Sequence, residues 1–400
     1  MANSQLGTNY AGAGTSLAAL IPIIYEARDE VAREQIGLIT AASRDASEDT
    51  AALGQIVRSP VTGAVSSVQI APGAYAPSSG GQTIQYKDLT ISNAKAVPLQ
   101  WTGEEQKAVG ALLPTIIGDQ FKQAFRSISN EIEASLVSTL ISGASRAVGT
   151  AGTSPFNTVG DFSDFANAHL TLDNNGCPID DRHFVMGFKA YANMIGKQSS
   201  LWKANEAGTD DLLRRGILNE VMGFKFHKSA QLDKNSHTKG TGAAYASVGT
   251  GAANGTVYQV GETAITLGTG TGTVLAGDVV TFAGDTHEYV VAVGVAAPGV
   301  ITLAAPGLQQ TLADAVALTI GASYTPNFVL DPAALMLATR MPLMPASGDG
   351  ASDRVTIGDP VSGISFEVVQ YKQYRQIHTE IGAAWGSLAN KPEFAAIVMG

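Results

Sequence analysis

Residues Pro114 to Ile141, PTIIGDQFKQAFRSISNEIEASLVSTLI, constrain the fold more than any other stretch of the chain. Apolar residues fall at Ile117, Phe121, Ala124, Phe125, Ile128, Ile132, Leu136 and Leu140, in steps of three and four sustained over about seven turns. Pro114 suits a first helical turn, and Gly143 stands where a C-terminal cap is expected. At 1.5 Å per residue the helix is roughly 40 Å long, the width of a whole domain. Periodicity alone fits an ordinary long core helix equally well, so the flanking sequence has to decide its role.

Composition narrows the classes first. Four hundred residues leave room for two or three domains, and 45% hydrophobic against 15% charged residues describes a packed globular chain. A net charge of −10 with no basic run argues against a nucleic-acid-binding surface. The single cysteine, Cys177, makes neither an internal disulfide nor a CxxC metal site, which fits a reducing compartment. No basic residue precedes Arg28, and the apolar run Leu17 to Tyr25 is too short to span a bilayer. The expectation is a soluble, cytoplasmically made product.

In chain order, residues 1–16 are small and polar, and Leu17 to Thr40 reads as an amphipathic helix with Leu20, Ile24, Ala27 and Val31 on one face. From Gly54 to Trp101 the chain is rich in β-formers, Ser, Gly and Pro. Val61 to Ile70 and Thr83 to Ile91 read as strands around the turn-forming run APGAYAPSSGG. A long two-stranded hairpin with little apolar surface is marginal alone in water, so it needs a surface on its own chain or on a neighbouring copy. After the long helix, Val159 to Leu172 reads as a helix, His183 to Gly187 as a strand, Lys189 to Gly196 and Thr209 to Arg215 as helices, and Val221 to His227 as a strand.

The sharpest compositional break follows. Gly240 through Thr339 holds none of the chain's 25 Lys and Arg residues, and only six acids, Glu262, Asp278, Asp285, Glu288, Asp314 and Asp331. Thr256 to Val260, Thr263 to Leu267, Asp278 to Phe282, Glu288 to Val293, Val300 to Leu303 and Val316 to Ile320 read as short strands between Gly-rich turns, a small sandwich or barrel over 238–325. Beyond it, Arg354 to Ile357 and Gly363 to Tyr371 read as strands, Gln376 to Leu388 as a helix or a strand, and Phe394 to Met399 as a last apolar run.

Three segments carry a resemblance: LLRRGILNEVMGFKFHKSAQL, NFVLDPAALMLATRMPLMP and the ending GISFEVVQYKQYRQIHTEIGAAWGSLANKPEFAAIVMG. Together with the order of elements over nearly the whole chain, they resemble tailed-bacteriophage major capsid proteins. The β-rich insert resembles that of the short-tailed-phage subgroup whose coat protein carries an extra barrel. The resemblance implies an α+β phage capsid fold: an N-terminal arm and helix (1–53), an extended β-hairpin loop (54–101) and the spine helix of a peripheral domain (102–153). An axial domain in two parts (154–237 and 326–350) would then enclose an inserted all-β domain (238–325), with peripheral C-terminal strands at 351–400. It also implies self-assembly through pentamers and hexamers into an icosahedral shell around double-stranded DNA, with scaffolding, portal and decoration proteins as partners. DNA would be touched only weakly and non-specifically, and no membrane is involved. The chain would reside in the virion, after assembly in the host cytoplasm. Two alternatives are an encapsulin-like compartment shell and a phage adhesive or carbohydrate-binding protein built on the β-region, whose aromatics are Tyr245, Tyr258, Phe282, Tyr289 and Tyr324.

No catalytic constellation stands out. Gly268 to Gly272 lacks both the spacing and the strand-to-helix setting of a dinucleotide loop, and Gly196-Lys197 lacks the earlier glycine of a phosphate loop because position 191 is Tyr. Gly143 to Ala147 fails the nucleophile-elbow pattern at its last residue. Asp180, Asp181 and His183 offer metal-ligand chemistry but read better as a solvated turn entering a strand, and the six histidines show no ligand spacing. Glu104-Glu105 reads as a charged helix start rather than a catalytic pair, and Cys177 as an ordinary thiol. Some capsid relatives crosslink a loop Lys to a neighbour's Asn, roles that Lys87 and Asn390 would take here. Many relatives, those with the insert among them, do not. The expectation is therefore no catalytic, cofactor-binding or metal-ligating residues, no cofactor, and no enzyme.

Overall fold

The computed structural model describes residues 37–61, 85–109, 113–198, 220–248, 256–358 and 363–400. The expected helix at 17–40 lies outside these residues up to position 36, with Gly37–Ala41 a helix; the expected helix at 209–215 and most of the strand at 61–70 also lie outside them. The architecture is α+β, with strands predominating.

The long helix spans Leu113–Gly143, 31 residues or about 46 Å. Every side chain of the predicted stripe, from Ile117 to Leu140, is buried, joined by Val137. Gly143 is the last helical residue rather than the residue beyond it. A Cβ there would lie 2.4 Å from that of Ala389, so close approach of a strand, not a left-handed cap, requires the glycine.

Two large sheets flank this helix. One has six strands in the order Ser43–Ala51, Leu335–Pro342, Gln376–Ala389, Ser365–Gln373 and Asp353–Gly358, with Asn93–Thr102 pairing along Gln376–Ala389 as well. Its longest member, Gln376–Ala389, settles the helix-or-strand choice. Ile377, Ile381 and Trp385 repeat every four residues, which fits one helical turn but equally two pleats of a strand. Thr379 and Ile381 to Gly386 are buried, as expected for a strand covered on both faces.

The second sheet has twelve strands. Its centre is Arg182–Met186, Pro326–Leu330 and Ala395–Met399, every residue of which is buried. One face meets the long helix. The other packs on the helices Ser163–Asn174 and Phe188–Lys197 through Phe165, Phe184, Phe224, Phe226 and Met194.

Among the described residues between 240 and 325 every regular element is a strand, and they share a separate core of Tyr245, Ile265, Leu267, Phe282, Tyr289 and Ile301. Glu288–Val293 matches its expected bounds. It also pairs antiparallel with Arg146–Gly149, so the strands of this segment run on from the second sheet without a break.

Candidate assembly surfaces

The root of the expected hairpin is present. Ile56–Val61 pairs antiparallel with Gln85–Thr90, from Ile56 opposite Thr90 to Val61 opposite Gln85. The first arm therefore starts five residues earlier than the expected Val61, because Gly54, at φ 87°, makes the turn and donates to Ile91 O at 2.9 Å. Among the described residues the ribbon has two strands. Its exposed side carries Ile56, Tyr86 and the Arg58–Asp88 pair at 2.8 Å, whose mutual hydrogen bond raises the pKa of Arg58 and lowers that of Asp88.

Its inner side rests on a floor of small residues. Leu89 and Ile91 are fully buried against Ala338 and Ala384 of the six-stranded sheet. Beside them, a Cβ on Gly386 would lie 2.2 Å from Thr90 O and 2.9 Å from Leu89 Cδ2. The absence of a side chain at Gly386 lets the ribbon backbone sit directly on the sheet. Lys87 also reaches back and donates to the backbone carbonyl of Asn390 in the same chain. Burial lowers its pKa, and Glu393 opposes that shift. Structure thus brings Lys87 and Asn390 together, through a main-chain oxygen and within one subunit.

A second surface is the short helix Gly37–Ala41. It abuts the long helix at Glu133, which is 3% exposed. Its carboxylate accepts from Gly37 N at 3.0 Å, Leu38 N at 2.8 Å and Ile39 N at 3.1 Å. These are donors that a helix start leaves without intrahelical partners, and the positive end of the helix dipole favours an anion there. Burial still raises the pKa of Glu133, against the lowering effect of those hydrogen bonds and one from Ser229.

The β-rich segment joins the body at Asp278, fully buried at the end of the long helix. It accepts from Gly240 N at 3.0 Å and Leu275 N at 2.8 Å, and meets His237 Nε2 at 2.8 Å. A Cβ on the adjacent Gly277 would lie 2.4 Å from Ile141 Cγ2. Of the six acids between 240 and 339, only Glu262 and Asp314 are exposed, so this segment presents a nearly charge-free surface.

The residues weighed for chemistry fall into structural roles. Glu105 forms a reciprocal cap with Thr102 at the start of Gly103–Val109, its Oε2 accepting from Thr102 N at 3.0 Å. Gly270 takes φ 136° under the Tyr245 ring, whose hydroxyl donates to Gly272 O at 2.7 Å. Cys177 is buried, and burial pushes its thiol up to about 11. Asp181 and His183 do meet, at 3.1 Å, but Asp180 is exposed. Among the described residues no three His, Cys, Asp or Glu side chains converge to hold a metal. Nor is any described helix long and apolar enough to cross a membrane.

A family model described as P22 coat protein, gene protein 5, matches residues 91–292, just over half of the 400-residue chain. No curated protein matches it in sequence. Solved structures similar to it include the capsid of cyanophage P-SCSP1u, at 13% identity and TM-score 0.47 over 90% of this chain and 87% of that one. A structure from Mycobacterium phage Che8 is similar at 11% identity and TM-score 0.43, over 86% and 84% of the two chains. A virus-like particle from Pyrococcus furiosus is similar at 9% and 0.43, over 94% and 98%.

Proposed function

The chain belongs to the P22 coat protein family and is a major capsid protein that forms a phage shell, and from that premise we propose how its parts build the shell. The observation that carries the reading is the long helix with a sheet on each side. A contact made at the six-stranded sheet is held in fixed register with one made at the twelve-stranded sheet, as repeated heterologous contacts require if they are to close into pentamers and hexamers.

In this reading residues 1–53 are an arm, 54–101 an extended loop and 102–153 the spine. Residues 154–237 and 326–350 form the axial domain, 238–325 an inserted β-barrel-like domain and 351–400 the peripheral strands. The loop rooted at Gly386 lies over the adjacent subunit and gains there the burial that a two-stranded ribbon lacks. The nearly charge-free surface of residues 240–325 suits contact with protein rather than with DNA, which the acidic chain touches only weakly. Scaffolding and portal proteins act with it in the host cytoplasm, a decoration protein is a further partner, and its role is structural rather than enzymatic.

Deleting residues 72–82 tests the bridging loop. The expected result is folded subunits with a sharply reduced yield of shells. Normal yield and stability of shells would refute the bridging role.

A further inference from the structure

Two imidazoles sit at the foot of helix Gly37–Ala41. His183, on Arg182–Met186, and His227, on the parallel neighbour Phe224–Lys228, stack with centroids 5.0 Å apart and planes 20° from parallel. His183 Nδ1 lies 2.8 Å from His227 Nε2. At the outer end His183 Nε2 meets Asp181 Oδ1 at 3.1 Å, and Lys225 Nζ donates to the same oxygen at 2.5 Å. At the inner end His227 Nδ1 faces Thr40 Oγ1 of the arm helix at 3.3 Å.

The chain of partners fixes the protons. Asp181, held below the usual carboxylate range chiefly by its Lys225 hydrogen bond, only accepts, so His183 Nε2 carries a hydrogen. In the neutral ring His183 Nδ1 is then a lone pair, and it accepts from His227 Nε2–H. A first added proton goes to His227 Nδ1. Thr40 Oγ1 can accept it, because that hydroxyl donates to Gly37 O at 2.8 Å. A second proton has no place. It would need His183 Nδ1, setting two N–H groups and two cations against each other across 2.8 Å.

We propose that the His183–His227 pair is an acid-operated latch on helix Gly37–Ala41: a second proton breaks the imidazole–imidazole bond, moves His227 away from Thr40 and frees the end of the arm while both sheets stay folded. Burial favours the same outcome, lowering His183 and bringing His227 to about 4 from an ordinary 6.5. Because the docked pair resists protons that the released pair takes up, release is favoured as pH falls from about 6.5 towards 4, and not above. The other charged groups facing the pair are Asp331, whose charge favours a proton on His183, and Lys225, which disfavours one on either ring. Glu133, at the other side of the arm helix, has its pKa raised on docking, so it opposes release in acid.

Hydrogen exchange of amides 37–42 in the full chain, corrected for intrinsic rate, reads the latch directly. One net proton taken up on release gives a tenfold loss of protection per pH unit, so at least a tenfold fall is expected between pH 6.5 and 4.5. Amides of Pro326–Leu330 and Ala395–Met399 should hold their protection, and His183→Gln should remove the pH dependence at 37–42. Should that variant fail to fold, histidine ¹⁵N spectra of the unaltered chain decide: Nε2–H tautomers on both rings at pH 7.5, with a second proton entering only as the 37–42 amides open. Unchanged protection down to pH 4.5, the same fall in His183→Gln, or two charged rings with the helix still docked would overturn the proposal.

Discussion

Gly386→Ala is the substitution that most directly tests how the loop is rooted. The new Cβ would stand 2.2 Å from Thr90 O, where an unstrained carbon–oxygen contact needs about 3.2 Å, so one backbone must retreat by about 1 Å. Neither yields easily. Gly386 pairs with Ala338 inside the six-stranded sheet, and Thr90 is held opposite Ile56 in the ribbon. Overpacking of this kind costs about 1–3 kcal/mol, and a backbone oxygen has no rotamer through which to escape, so about 2 kcal/mol is expected. That is roughly a thirtyfold loss of protection for amides 85–91. The strand Ser365–Gln373, further along the sheet, should keep its protection, and the yield of closed shells should fall. Adding Leu89→Ala removes the 2.9 Å contact with Leu89 Cδ2 but not the one with Thr90 O, so it should not restore the root. Wild-type exchange at 85–91 in Gly386→Ala would refute the reasoning. So would full rescue by Leu89→Ala.

Glu133→Ala removes the acceptor of three buried N–H groups at about 1–3 kcal/mol each, partly offset because an unfavourably buried charge goes with it. A net loss of about 3 kcal/mol is expected, confined to amides 37–42 in hydrogen exchange. Glu133→Gln should be milder, since one carboxamide oxygen still accepts while its NH₂ faces a backbone N–H. Glu288 is half-buried, and burial raises its carboxyl to about 7. Its protonated form is the one the fold favours, so that contribution is present below about 4.5 and is lost as pH rises through about 7. Glu288→Gln should therefore be more stable than wild type at pH 8 and indistinguishable at pH 4. Solvent screening at this part-exposed site holds the difference to about 1 kcal/mol in urea melts.

What could be read in advance follows from how local each signal is. The stripe from Ile117 to Leu140 was legible because one helix face meets one continuous core. The strand Glu288–Val293 was legible because Gly-rich turns and β-branched residues bound it. Ser43–Ala51, SRDASEDTA, was not, since it has no apolar alternation and is a strand only through parallel pairing with Leu335–Pro342 and the Arg340–Asp45 ion pair at 2.7 Å. In the sequence Glu133 is one more polar position beside the apolar stripe. Its role appears only when backbone from 94 to 96 residues away arrives with three donors. Gly386 likewise gains meaning from Thr90, almost three hundred positions earlier. Of the residues weighed as chemistry, Asp181 and His183 meet at 3.1 Å without Asp180, and their partner His227 lies 44 residues on and becomes visible only when two strands align.

The central claim is that the long helix and its two sheets make a subunit that assembles in many copies into a closed shell. Electron microscopy of the purified full chain tests it most directly. The account predicts closed, icosahedrally symmetric particles whose subunits each show a helix of about 46 Å between two sheets. A chain that stays a folded monomer at every concentration would contradict it.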